Sequence, residues 1–275
     1  MMTTTLRPTE PLQRGADGAL SRHYQVCVNS RPVGAIHLAT HPGFGPALAQ
    51  ILDLRIEEPD RRRGRGTVAA LAAEEVVRGW GCGQLVIRVP ADAEPALRLA
   101  TALGYVHRNR GMEKQLGDTA PELPAGSRCR PMTEAEFGPW RARGLDEYAG
   151  DWSSRGVPEA AARAKALKDH EATFPQGPAT EGMRVSVLEH EGSRVGILWM
   201  AFRDDKAFVY DVETDEAVRG RGHGRTLMLL AEAQTIAAGR RVLGLNVFAG
   251  NTPAERLYES LGYVPVGYSM YKSLL

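Results

Sequence analysis

Cysteine is scarce: three in 275 residues, Cys27, Cys82 and Cys129, widely spaced and without a C-x-x-C pair. That argues against a disulfide framework and a thiolate zinc site, and leaves buried or incidental thiols as the reading. The seven histidines are scattered along the chain, and no metal ligand set is expected. An excess of one charge sign is also lacking. Lys and Arg number 34 against 33 Asp and Glu, a net +1, which does not describe the broad basic surface of a nucleic-acid binder. Long apolar runs are missing as well. Ile197–Phe202 and Val68–Ala73 are among the longest at six residues, far short of the ~18 a membrane span needs. The opening MMTTTLRP has no apolar core for a signal peptide, and a cytoplasmic, non-membrane protein is expected. What is present is an ordinary globular composition, 43% hydrophobic and 24% charged, long enough for one large domain or two smaller ones.

Residues 117–127, GDTAPELPAGS, carry two prolines and two glycines without apolar periodicity, the mark of a linker. It divides the chain into 1–116 and 128–275. Sliding residues 53–106 against 211–264, at an offset of 158, gives 21 identities in 54 ungapped positions. Chance pairing gives about three or four. The matches include Asp53/Asp211, Arg61/Arg219, Gly64/Gly222, Gly66/Gly224 and the triplet Leu103-Gly104-Tyr105/Leu261-Gly262-Tyr263. A period this long is a duplicated domain.

The second copy reads clearly. Arg184–Glu189 alternates as a strand, Glu191-Gly192-Ser193 is a turn, and Val195–Phe202 completes a hairpin. Ala207–Thr214 is a further strand, Thr226–Ala238 a helix, Arg241–Phe248 a strand and Thr252–Leu261 a helix ending at Gly262. Thr133–Glu147 and Pro158–Glu171 read as two earlier helices. The order predicts an α/β fold with a sheet of mixed direction. Between strand and helix lies Arg219-Gly220-Arg221-Gly222-His223-Gly224-Arg225. Glycines let backbone N–H groups approach an anion at a helix N-terminus, and arginine suits phosphate. A P-loop is excluded because G-K-[ST] is missing. A Rossmann turn is disfavoured because a hairpin precedes the motif. A pyrophosphate-containing acyl carrier, coenzyme A, stays in contention beside a plain basic turn.

R-x-x-G-x-G at Arg219, Gly222 and Gly224, followed by Asn251-Thr-Pro-Ala254-Glu-Arg-Leu257-Tyr258-Glu-Ser-Leu261-Gly262-Tyr263, resembles the two signature motifs of the GCN5-related N-acetyltransferase (GNAT) superfamily. The likeness covers 128–275 well and 20–116 more weakly. It implies two tandem GNAT folds, each a mixed, twisted sheet flanked by helices, with a cofactor cleft where two parallel strands splay apart. It implies acetyl-CoA as cofactor, its arm on Val212, Glu213 and Thr214, its pyrophosphate on Arg219, Gly220, Arg221, Gly222, His223, Gly224 and Arg225, and a contact from Asn251. Tyr258 matches the family's general acid, and Asp211 is the candidate base or anchor for a cationic acceptor. Phe208 falls where histone-type relatives keep their base, which speaks against that mechanism. The expected acceptor wall includes Glu147, Tyr148 and Trp152, with Asp151 and 174–178 nearby.

The first copy keeps the turn, and Arg61, Gly64 and Gly66 are a second place for CoA. It has Ala93 for Asn251 and Ala100 for Tyr258, and few residues precede its hairpin, so it reads as a degenerate domain without acceptor helices. The expectation is acetyl transfer to a primary amine of a small molecule or peptide by direct attack. The alternatives are a non-catalytic CoA-sensing or RNA-binding module, and an aminoacyl transferase of tandem GNAT fold.

Overall fold

A computed structural model describes residues 4–203 and 205–274. In chain order the strands are β1 (Thr4–Pro8), β2 (Gln13–Arg14), β3 (Leu20–Val28), β4 (Arg31–His41) and β5 (Gly45–Ile56). Helix α1 (Arg65–Gly79), β6 (Gln84–Pro90), α2 (Glu94–Ala102) and β7 (Val106–Gln115) complete the first copy. The second copy holds β8 (Ser127–Pro131), α3 (Glu134–Ser153), α4 (Glu159–Thr173), β9 (Met183–His190) and β10 (Ser193–Phe202). It ends with β11 (Lys206–Thr214), α5 (His223–Ala237), β12 (Val242–Phe248), α6 (Thr252–Ser260) and β13 (Val264–Ser273).

Local chemistry explains the boundaries. Asn29 (φ 47°) and Ser30 (φ 68°) join β3 to β4, and Glu191 (φ 50°) and Gly192 (φ 79°) join β9 to β10. Left-handed residues in a two-residue loop match the twist of the strands they connect. At the start of helix α3, Glu136 reaches back to Thr133, whose backbone N–H and hydroxyl donate to its carboxylate at 2.9 and 2.8 Å. Arg130 grips the same carboxylate with two bonds of 2.8 Å and holds it below the usual carboxylate range.

Two compact units form, and they do not follow the linear division expected from the repeat. One contains Met1–Arg108, Glu147–Lys168 and Gly267–Leu275; the other contains Asn109–Asp146 and Asp169–Val266. The reason is an exchange of final strands. In the first unit the sheet runs β1-β3-β4-β5-β6 and closes on residues of β13, with β2 beside β3. In the second it runs β8-β9-β10-β11-β12 and closes on residues of β7. Gly267–Ser273 pair antiparallel with Pro90–Gln84, and Asn109–Gln115 pair antiparallel with Phe248–Val242. Each copy thus donates its last strand to the other unit's sheet. The first unit also takes up chain from the helical region: Gln84 Nε2 donates to the carbonyls of Arg155 and Gly156 at 3.2 and 2.8 Å.

The donated strands carry matching anchors. Met270 is fully buried in the first core and Met112 in the second, each worth about 1.5–3 kcal/mol of transfer free energy. Lys272 meets the buried Glu74 at 2.8 Å beside Tyr105, and Lys114 meets the buried Glu232 at 2.7 Å beside Tyr263. Along β9 and β10, Leu188, Leu198 and Met200 face α5, whereas Val187, Ile197 and Trp199 face a second cluster with Phe137, Trp140 and Phe174. Alternation by two gives the strand one core on each side.

Lys272→Met should cost about 3 kcal/mol in urea unfolding, because Glu74 stays buried without its cation. Adding Glu74→Gln should return most of that loss.

Candidate active site

In the second unit β11 and β12 run parallel and pair from Lys206/Val242 to Val209/Leu245. Beyond that point they part, as the resemblance implied. Trp199 pairs with Asp211 and Met200 with Val209, so Tyr210 is an extra residue in β11. A bulge of this kind bends its strand and strengthens its twist, here one residue past the last rung shared with β12. Beyond the bulge, Val212, Glu213 and Thr214 pair with Leu198, Ile197 and Gly196 of β10. Their pairing with β12 has already ended at Val209, so this stretch borders the parting on its β12 side. β12 itself stays paired to its end through β7, with Phe248 opposite Asn109.

The turn follows directly. Gly220 (φ 78°) and Gly222 (φ 89°) are left-handed, and Gly222 is the N-cap of α5 with no side chain bonded to the helix end. The first N–H groups of α5 are therefore uncapped by any side chain, in the arrangement that receives an anion. Arg219 Nε donates to the Thr214 carbonyl at 3.3 Å, and Arg225 donates to Ser260 Oγ at 2.6 Å; Arg221 is exposed. His223 is buried against His190, and burial, then His190 and Arg221, push its pKa down. What His223 presents to an anion is its backbone N–H. Asn251 is exposed and its side-chain oxygen accepts from the Ala254 N–H at 3.3 Å, capping α6.

Tyr258 is 8% exposed on α6. Burial, and then the charge of Asp211, push its pKa up to about 12. The phenol of Tyr258 thus lies within the field of the Asp211 carboxylate. Glu213 accepts two bonds from Arg143 of α3, at 2.8 and 2.7 Å, an ion pair that ties α3 to the rim of β11. Trp199, opposite Asp211, stacks on Tyr210 at 4.7 Å and on Phe174 at 4.9 Å. His170 lies 5.4 Å from Trp199, and burial, then Arg141, push its pKa down. Trp199 Nε1 and His170 Nδ1 are buried without a hydrogen-bond partner among the described residues. Tyr210, Trp199 and His170 were not foreseen. The bulge that puts Tyr210 beside Asp211 depends on strand register, which sequence alternation does not reveal.

The residues expected at the acceptor wall lie in the C-terminal part of α3. Glu147, Tyr148 and Trp152 belong to the first unit. Trp152 is buried there, edge-on to Phe44 at 4.6 Å and under the Arg108 guanidinium at 5.1 Å. Lys165 sits over the rings of Phe44, Tyr148 and Trp152 at 5.2, 5.8 and 5.5 Å. Of the three expected residues, Trp152 is buried, Tyr148 is half-buried and Glu147 is exposed.

The first unit repeats the skeleton. β5 and β6 pair to Ile51/Ile87 and no further, and Leu52 is the extra residue before Asp53, which faces His37. Gly64 (φ 73°) is the uncapped N-cap of α1, and Arg61 Nε donates to the Ile56 carbonyl at 2.8 Å. Arg62 holds φ 56° where the second copy has Gly220, a conformation that costs a side-chain-bearing residue of order 1 kcal/mol. Ala100 is buried at the position of Tyr258.

The profile of the Acetyltransferase (GNAT) family matches residues 4–105 and 146–263. The chain belongs to this family and is an acyltransferase. A mycothiol acetyltransferase of Beutenbergia cavernae is 28% identical over 92% of this chain and 89% of its own length. That of Thermobispora bispora is 31% identical over 82% of this chain and 71% of its own. Among solved structures, a GCN5-related N-acetyltransferase from Sphaerobacter thermophilus aligns over 92% of this chain and 80% of its own, with TM-score 0.58 and 19% identity. One from Kribbella flavida covers 87% and 86%, with TM-score 0.53 and 17% identity. These two show the fold.

Gly222 has open space where a Cβ would stand, so Gly222→Ala brings backbone strain without a clash. Gly222→Asp adds a carboxylate at the helix end. Acetyl-CoA affinity by calorimetry should fall at least about tenfold further in the Asp variant than in the Ala variant. Equal affinities would detach the cofactor from this turn.

Proposed function

We propose that the second unit transfers an acetyl group from acetyl-CoA to the primary amine of an acceptor by direct attack. The observation that carries this reading is the parting of β11 and β12 beyond Val209/Leu245, in the unit that also holds the buried Tyr258 and the charge of Asp211 that acts on it. The residues fit the co-substrate. An uncapped helix end at Gly222 suits a pyrophosphate, held by Arg219, Gly220, Arg221, Gly222, His223, Gly224 and Arg225. Backbone groups of Val212, Glu213 and Thr214 beside the parting suit an extended arm that adds as a strand does, and Asn251 closes the far side. Acetyl-CoA supplies the acyl group as an activated thioester.

The chain's own work is proton handling. An amine must be neutral to attack, and Asp211 takes up the proton it sheds. Tyr258 keeps its proton at Oη, placed for the departing sulfur. No enzyme nucleophile is needed, and the buried Cys27 and Cys82 are not offered as one. The relatives named mycothiol acetyltransferase favour a small-molecule acceptor over a peptide. The first unit supports a lesser reading, CoA binding without chemistry at Arg61, Gly64 and Gly66, because its turn is retained while Ala100 replaces the phenol.

Tyr258→Phe should lower kcat by about 10²–10⁴ with little change in acetyl-CoA affinity, read by free thiol release and calorimetry. A full rate would hand the proton to water. Because the Tyr258 pKa is raised, its acid form persists as pH rises. kcat should therefore show no alkaline fall from this group up to about pH 10. A fall that disappears in Tyr258→Phe would contradict the assignment.

A further inference from the structure

We propose that the acceptor is an aralkylamine, a primary amine on a short linker that carries an aromatic ring, and that Tyr210 is the residue that selects it. The inference rests on the reading of the second unit as an amine acetyltransferase. Tyr210 is the extra residue of the bulge and the immediate neighbour of Asp211. It is 37% exposed, large for an aromatic side chain in a strand. One side of its ring lies on Trp199 at an interplanar angle of 18°. Phe208 meets it edge-on at 5.2 Å. Its hydroxyl accepts a bond of 2.8 Å from Arg203, which fixes the ring plane. The result is a rigid aromatic shelf, backed by Trp199 and Phe174, beside a carboxylate.

An ammonium group is drawn to such a pairing of ring and carboxylate, and a ring one or two carbons away gains from stacking on the shelf. Behind Trp199 pack the buried Phe137, Trp140 and Phe174, so the shelf is held rigid from an apolar side and presents a hydroxylated body with little to bond. The duplicated copy is an internal control. It has the same bulge and the same aspartate, Asp53, yet Leu52 stands for Tyr210 and His37 for Trp199. The aromatic shelf accompanies Asp211 in the copy that keeps Tyr258 and is missing in the copy that has Ala100.

The test compares kcat/KM, by thiol release from acetyl-CoA, for 2-phenylethylamine, 2-cyclohexylethylamine and glucosamine. The phenyl amine should exceed the cyclohexyl amine by roughly three- to tenfold, and glucosamine should be poorest. Tyr210→Leu, which installs the first copy's residue, should bring the ratio of the two ring amines near one. Tyr210→Phe should keep the preference. Acetyl-CoA affinity and circular dichroism of Tyr210→Leu report that the fold and the cofactor site are intact. Glucosamine as the best acceptor, reaching the unpartnered Trp199 Nε1 and His170 Nδ1, would overturn the proposal. So would a ratio that Tyr210→Leu leaves unchanged. Turnover of these amines without ring preference removes the shelf alone, whereas no turnover of any amine by an enzyme that binds acetyl-CoA removes the acetyltransferase reading with it.

Discussion

A gap between two strands inside a sheet leaves backbone donors and acceptors without their usual partners, and a strand bordering such a gap is held by its other edge alone. β12 borders the parting beyond Leu245 and remains ordered because β7 pairs with it from Val242 to Phe248. The strand that makes this possible comes from the other copy. The same arrangement holds β6 beyond Ile87, through residues of β13 that reach Pro90. Opening a cleft and exchanging the final strands are thus one structural solution. The buried pairs Glu232–Lys114 and Glu74–Lys272 fasten each donated strand to the helix behind it.

What the two copies share is scaffold, and what they do not share is chemistry. The arginine that begins the turn donates to an equivalent carbonyl in both, Arg61 to Ile56 and Arg219 to Thr214. The bulge, the aspartate after it and the uncapped helix end recur. The differences cluster around the aspartate: Tyr258 against Ala100, Tyr210 against Leu52, Trp199 against His37. Arg62 shows the same history in the backbone, since it keeps a left-handed conformation that Gly220 adopts without a side chain in the way.

The duplication, the strands and helices of the second copy and the splayed pair were legible because they rest on local patterns: alternation, glycine turns and a repeated motif. The glycine turn before α5 was legible for the same reason. The composition of the units was not, because strand exchange is decided by which edge a distant strand meets, and β7 and β13 carry no sequence mark of their destination. Tyr210 was hidden inside an apolar strand, since a bulge inverts the expected facing of one residue. The surroundings of Trp152 were hidden too, since Phe44 and Arg108, which pack on its ring, are distant in sequence.

The position of β13 has a consequence for how the chain is made. The first unit is closed by Gly267–Ser273, which are synthesised long after the strand β6 they pair with. Domains commonly fold in order as they emerge, the N-terminal one first, at about 5–20 residues per second. Here the residues of the first copy wait with the outer edge of β6 uncovered until β13 leaves the ribosome, some ten seconds or more after Pro90 at that pace. For that interval the nascent chain exposes a strand edge of the kind that recruits chaperones or neighbouring chains, and β7, which could have covered it from the same copy, is the strand with which it must avoid a premature pairing.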